Sequence, residues 1–232
     1  MVKFRISEVF RNGYSYDIIT KYKEIPVKVH LKLNWIDNEG RLLGFDWGRT
    51  HLKPAFSTLD PVYVRVEKEE YAQTQVFSNL GKELVLMVDN FVGPPEFIKR
   101  RSVRVEPDEH KPVMVEIFHE EGKLKATVAD ISELGIGLIV AVKENENFVS
   151  ILKERLKALK KEECIEYHLK IFLPSCGIAQ GKGKLKNVIS LDKDSRLKLG
   201  FEINFPQGDL NTIRRYVINR QKEIIKSLRI VK

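Results

Sequence analysis

Cysteine is nearly absent. The chain has two in 232 residues, Cys164 and Cys176, twelve positions apart. That is not a CxxC pair, and both read as small buried side chains or as bystanders, not as a disulfide framework or redox centre. The five histidines, His30, His51, His110, His119 and His168, show neither HxxxH nor HExxH spacing, so no metal site is expected. No apolar run reaches the length of about 18 residues that a membrane span needs. The opening stretch "MVKFRISEVFRNGYSYD" is broken by charges and has no apolar centre of the signal-peptide kind. A cytoplasmic location is the default expectation. A nucleophile elbow, a GxxxxGK[ST] phosphate loop and a paired-carboxylate site are all missing, so an enzyme is not expected. "GKGKLK" (181–186) is rich in glycine and lysine, but no helix follows it, and it reads as a hairpin with lysine tips.

What is present begins with apolar content. Hydrophobic residues make up 43% and charged residues 31%, enough to bury a core and ordinary for a globular chain. The formal net charge of +8 is unevenly placed. Residues 1–98 hold 13 Lys+Arg against 13 Asp+Glu, whereas residues 99–232 hold 27 against 19. All of the excess therefore lies in the second part, which points to an anionic partner or to a lysine-rich solvated surface.

The first part reads as strands. "IPVKVHLKLNWID" alternates, with Val27, Val29, Leu31 and Leu33 on one face. "NEG" (38–40) signals a turn and "RLLGFDW" an antiparallel return; "PVYVRVEKEEY" and "KELVLMVDNF" add further strands. The pattern fits a small antiparallel barrel or sandwich. Gly93-Pro94-Pro95 then removes two backbone donors and fixes φ, so a boundary is expected at about 93–99, with a stiff linker. Beyond it come about six strands, among them "KPVMVEIFHE", "GKLKATVADIS", "GIGLIVAV" and "RLKLGFEINF". Phe148, Leu152, Leu156 and Leu159 recur at helical spacing and predict an inserted helix at about 147–162. Leu210, Ile213, Val217, Ile224 and Leu228 predict a terminal helix, with Asp209 as its N-cap.

Two motifs carry chemistry. Lys99, Arg100, Arg101 and Arg104 crowd directly after the diproline, and Arg100 and Arg104 form RxxxR. Such charges repel one another unless an anion separates them. "VADISELGIGL" holds Asp130, Ser132 and Gly135 in DxSxxG spacing. Two apart at a strand end, Asp130 and Ser132 are expected on one face, the face that carries Leu124, Ala126 and Val128. A carboxylate there needs a donor. Gly135 allows a positive φ or a close approach by a ligand. Alone, each motif also reads blandly, as a solvated charge run and as a strand-end turn. Together they fit a guanine nucleotide: arginine forks meet O6 and N7, a carboxylate or hydroxyl accepts from N1–H and N2–H₂, and phosphates take further arginines.

RxxxR followed at this distance by DxSxxG resembles the PilZ domain, a receptor of cyclic di-GMP. The resemblance runs from residue 99 to about 228, with "LGFEINF" similar to the family's closing strand and "IRRYVINRQKE" to its last helix. The 147–162 helix is longer than the family's usual connection. A strand-rich module ahead of such a domain resembles the arrangement in flagellar brake proteins. The fold implied is mainly β: two small antiparallel β-barrel domains, 1–95 and 99–232, the second a six-stranded barrel with a C-terminal helix and the inserted helix. The resemblance implies a non-enzymatic receptor without a cofactor, in which Arg100 and Arg104 wrap cyclic di-GMP and Asp130 and Ser132 read a guanine edge. Gly135 leaves room, and Lys99 and Arg101 are extra basic groups toward phosphate or water. One or two nucleotides per site stay open at Lys99. The linker is expected to be loose without ligand and pinned with it, changing the pose of the domains toward a protein partner such as the flagellar motor or biosynthetic machinery. Two other readings are a basic barrel that binds nucleic acid through the 153–161 lysines, and a degenerate PilZ scaffold that binds only proteins.

Overall fold

A computed structural model describes residues 5–56, 60–119, 122–142, 166–191 and 195–230. The expected helix at 147–162 and Cys164 lie outside the described residues. Among the described residues, twelve strands form two closed antiparallel barrels of six. The first contains β1 (Ser15–Tyr22), β2 (Ile25–Asp37), β3 (Leu42–Asp46), β4 (Val62–Arg65), β5 (Tyr71–Ser78) and β6 (Glu83–Val92) in the order β1-β2-β3-β6-β5-β4. Alternation dictates it: Val27, Val29, Leu31 and Leu33 of β2 are all buried, while Lys28, His30 and Lys32 between them are exposed. Ile18, Leu33, Leu43, Phe45, Leu84 and Leu86 meet in the interior with no exposed surface. Each such burial stabilises by roughly 1.5–3 kcal/mol before conformational entropy is subtracted.

The diproline stops β6, and Pro95 caps a single helical turn, α1 (Glu96–Lys99). The second barrel contains β7 (Met114–His119), β8 (Gly122–Ile131), β9 (Gly135–Ala141), β10 (Glu166–Leu173), β11 (Gly177–Leu191) and β12 (Arg196–Asn204), in the order β10-β11-β12-β9-β8-β7. The helix α2 (Gln207–Ile230) follows. By contact density the chain divides into Met1–Arg101 with Ile224–Lys232, and Ser102–Glu223.

Three local expectations change. "GKGKLK" is no hairpin tip: it lies within β11, with Gly181 and Gly183 buried and Lys182 exposed on the outer surface. Asp209 is not the N-cap of α2. The helix starts at Gln207, the Leu210 N–H donates to the Pro206 carbonyl at 2.9 Å, and the Asp209 carboxylate accepts from the Gln180 N–H at 2.8 Å. Finally, the buried stripe of α2 takes in Arg220, which stands between Val217 and Ile224 at 7% exposure. Its guanidinium donates to the Glu106 and Pro107 carbonyls and to the Asp108 and Glu223 carboxylates. It thereby fixes the chain that leads from the arginine cluster into the second barrel.

In the first barrel, the indole of fully buried Trp47 donates to Asn79 Oδ1 at 2.8 Å, and the Asn79 amide donates to the Lys53 and Phe56 carbonyls. Asn79→Ala leaves a buried N–H without an acceptor and unties the 47–56 loop. The expected cost is about 1–3 kcal/mol, seen as a lower urea midpoint in tryptophan fluorescence; an unchanged midpoint contradicts this account.

Candidate functional site

The site is built from β8 outward. Leu124, Ala126 and Val128 face the interior of the second barrel, all buried. The next residue in that row is not Asp130. The register slips between Val128, opposite Leu138, and Asp130, opposite Gly137, so Ile131 takes the inward place opposite Ile136. This bulge turns Asp130 to the outer surface, against the expectation that it shares a face with Leu124, Ala126 and Val128. Its carboxylate lies over Gly137, where any Cβ would collide with it. Ser132 closes the turn after the strand: Oγ accepts from the N–H groups of Leu134 and Gly135, at 3.3 and 3.1 Å, and donates to the Gly135 carbonyl. Gly135 has no positive φ. A Cβ there would lie 2.7 Å from the Phe201 carbonyl oxygen, so close packing against β12 is what demands glycine.

The arginine segment is stitched beside this turn. Val105 and Ile131 exchange two backbone hydrogen bonds of 3.0 Å, and Val105 is fully buried. The adjoining Arg104 is thus delivered to Asp130, with Nη1 donating to Oδ1 at 2.9 Å. On the other carboxylate oxygen sits a residue that the sequence reading missed: Lys198 Nζ of β12, 2.9 Å from Oδ2. The Asp130 side chain is 2% exposed, those of Arg104 and Lys198 36% and 35%. Leaving such a carboxylate bare costs on the order of 3–5 kcal/mol, so two cations on one anion are a secure arrangement. Asn187 was missed too. A second bulge, between Leu185 and Asn187, sets it opposite Gly200, which itself pairs with Gly137. Asp130, Gly137, Gly200 and Asn187 therefore form one row across four strands, two side chains flanking two glycines. Neither bulge is marked by Pro or a turn dipeptide, so nothing in the sequence announced this row.

Arg100 has a different anchor. Its Nη1 donates to Glu24 Oε2 at 2.6 Å, and Lys21 bonds the other oxygen of that carboxylate. Glu24 is 7% exposed at its side chain and occupies, with Lys23, the two-residue turn between β1 and β2 at φ of 68° and 49°. Such turns ordinarily take Asn-Gly; a Lys-Glu pair there is strained. The ion pairs offset that strain. Burial pushes the Glu24 pKa up, but hydrogen bonds from Lys21 and Arg100 and the charges of both outweigh it, leaving the pKa below the usual 4.5. Lys99 reaches Glu96 at 3.3 Å, and Arg101 is exposed, with no hydrogen bond or ion pair among the described residues. The picture of mutually repelling arginines is therefore corrected: Arg100 and Arg104 each hold a separate buried carboxylate. Among the described residues, no group of three His, Cys, Asp or Glu could hold a metal, and no helix is long and apolar enough to cross a membrane.

The sequence is 38% identical over 227 residues to an uncharacterized protein of Aquifex aeolicus (strain VF5), covering 98% of this chain and 96% of that one. The chain belongs to the same family as that protein. No family model matches it. Similar solved structures include K. pneumonia MrkH in complex with c-di-GMP (14% identity, 91% of this chain and 90% of that one, TM-score 0.49). Others are Escherichia coli YcgR in complex with c-di-GMP (13%, 94% and 88%, 0.45) and the Bacillus subtilis inhibitor of motility MotI/DgrA (16%, 92% and 99%, 0.42).

Because the folded-state pKa of Glu24 is depressed, its contribution to stability is complete above about pH 4.5 and is lost as the pH falls through the folded value. Glu24→Gln is expected to lower stability at pH 7 by on the order of 3 kcal/mol and to flatten the acid limb of the melting-temperature profile. Equal acid limbs in the two proteins would contradict this.

Proposed function

We propose that the chain is a non-enzymatic receptor of cyclic di-GMP, bound by Arg100, Arg104, Asp130, Ser132 and Gly135, with Lys99 and Arg101 as further basic groups. One observation carries the reading: Arg104 and Asp130, 26 residues apart, meet at 2.9 Å beside the Ser132 turn, joined by the Val105–Ile131 bridge. The chemistry is complementary to the nucleotide. Guanidinium forks meet guanine O6 and N7 or phosphate oxygens, and a carboxylate accepts from N1–H and N2–H₂.

Binding then proceeds by exchange of ion pairs. Arg104 gives up Asp130 for the nucleotide, and the freed carboxylate oxygen takes the guanine edge. Arg100 gives up Glu24 for a phosphate or guanine. Both arginines follow closely on the linker between two domains, taken as 1–95 and 99–232, so the exchange alters how that linker is held. That gives a signal which a protein partner reads, in a motility or biosynthetic apparatus. The alternative of a nucleic-acid partner rests on the 153–161 lysines, which lie outside the described residues.

Titration calorimetry of the full chain with cyclic di-GMP tests the reading. Micromolar or tighter binding is expected, weakening with added salt. Arg104→Ala and Asp130→Ala are each expected to bind at least about tenfold more weakly. A folded chain that gives no heat at low salt rejects the proposal. Small-angle scattering with and without nucleotide then tests the change at the linker, where identical curves count against it.

A further inference from the structure

Two cations share Asp130, and binding as proposed above requires one of them to leave. Arg104 is placed to be that one. It lies in the irregular stretch just before Val105, touches the carboxylate with a single nitrogen, and its remaining N–H groups suit a guanine edge or a phosphate. Lys198 is placed to stay. It projects from β12 at a position paired with Ile139 of β9 on one side and Ile189 of β11 on the other, and its ammonium holds the oxygen that Arg104 does not use.

We infer that Lys198 is a positioning residue of the nucleotide site: it keeps the buried Asp130 carboxylate charged and oriented when Arg104 transfers to the ligand. The inference rests on the cyclic di-GMP reading. Without Lys198, Arg104 is the last partner of a buried anion, and pulling it away would strip that anion. The nucleotide would then have to choose between Arg104 and Asp130. With Lys198 in place it gains both: the guanidinium, and the carboxylate oxygen that Arg104 has released, which accepts from the base. Gly137 is part of the device, since its missing Cβ is what lets the carboxylate lie flat on the sheet within reach of β12.

A thermodynamic cycle separates this role from a direct contact. The full chain is titrated with cyclic di-GMP as Lys198→Met, Lys198→Arg, Asp130→Asn and the Lys198→Met/Asp130→Asn pair. Lys198→Met is expected to weaken binding about tenfold and Lys198→Arg to restore it to within about threefold. On the Asp130→Asn background, where no buried charge needs holding, Lys198→Met is expected to cost less than about threefold. Melting curves check folding, and Lys198→Gln replaces the methionine variant if that melts early. Wild-type affinity in Lys198→Met overturns the inference and leaves the receptor reading standing. The same loss with Asp130 intact and on the Asp130→Asn background also overturns it, since Lys198 would then touch the nucleotide itself. If the unaltered chain does not bind, the receptor reading falls and this inference falls with it.

Discussion

A carboxylate that water cannot reach must be held by cations, and Asp130 imposes that condition on everything around it. Its side chain is 2% exposed. The bulge in β8 brings it to the outer surface, Gly137 gives it room, β12 supplies Lys198, and the bridge from Val105 to Ile131 supplies Arg104. Remove any one of these and the carboxylate is either displaced or left underpaired, at a cost comparable to a large share of a domain's stability. Arg220, buried at the far end of the 105–108 stretch, serves the same end by fixing the backbone that carries Arg104. The local geometry thus follows from one electrostatic demand.

The same demand recurs at Glu24. A strained two-residue turn with two positive φ values survives because its glutamate is bonded by Lys21 and Arg100. The two arginines of one short motif therefore answer to different anions, one on each side of the chain's division at residues 101 and 102. This alters the energetics of any anionic ligand. Free, repelling arginines would bind with a large electrostatic gain and a steep salt dependence. Paired arginines exchange one anion for another, so the net gain is smaller and the salt dependence shallower. Selectivity rises in return, because only a ligand with donors for the released carboxylate recovers what the exchange gives up.

Strands whose side chains alternate were plain in the sequence. Val27 to Leu33 and the return through "RLLGFDW" fold as the period predicts, and the stripe of α2 differs by taking in Tyr216 and Arg220 and by leaving Leu210 half-buried. The motif residues were also legible, since RxxxR and DxSxxG stand out locally. What could not be read arises from long-range register. A bulge shifts a side chain from one face to the other without leaving a mark in composition, so period 2 alone puts Asp130 in the inward row. Lys198 and Asn187 come from strands that reach the site only through barrel closure. Glu24 occupies a turn with no glycine or asparagine to announce it. The packing of Gly135 against the Phe201 carbonyl is likewise invisible in the sequence, which does not tell which atoms a missing Cβ makes way for.

Asp130 and Asn187 leave the regular period for one shared reason, and it bears on the site itself. Period-2 reasoning presumes an unbroken ladder, and β8 and β11 are both interrupted beside the row Asp130, Gly137, Gly200, Asn187. An unbroken β8 would send Asp130 into the apolar interior of the barrel, away from both of its cations; an unbroken β11 would move Asn187 off the row. The interruptions carry a local cost in ladder hydrogen bonds and lay Asp130 over Gly137 and Asn187 over Gly200. Their effect is to place polar side chains on a glycine-floored strip of an otherwise regular wall. On the cyclic di-GMP reading proposed above, that strip would present a fixed carboxylate to the flat, donor-bearing edge of a base.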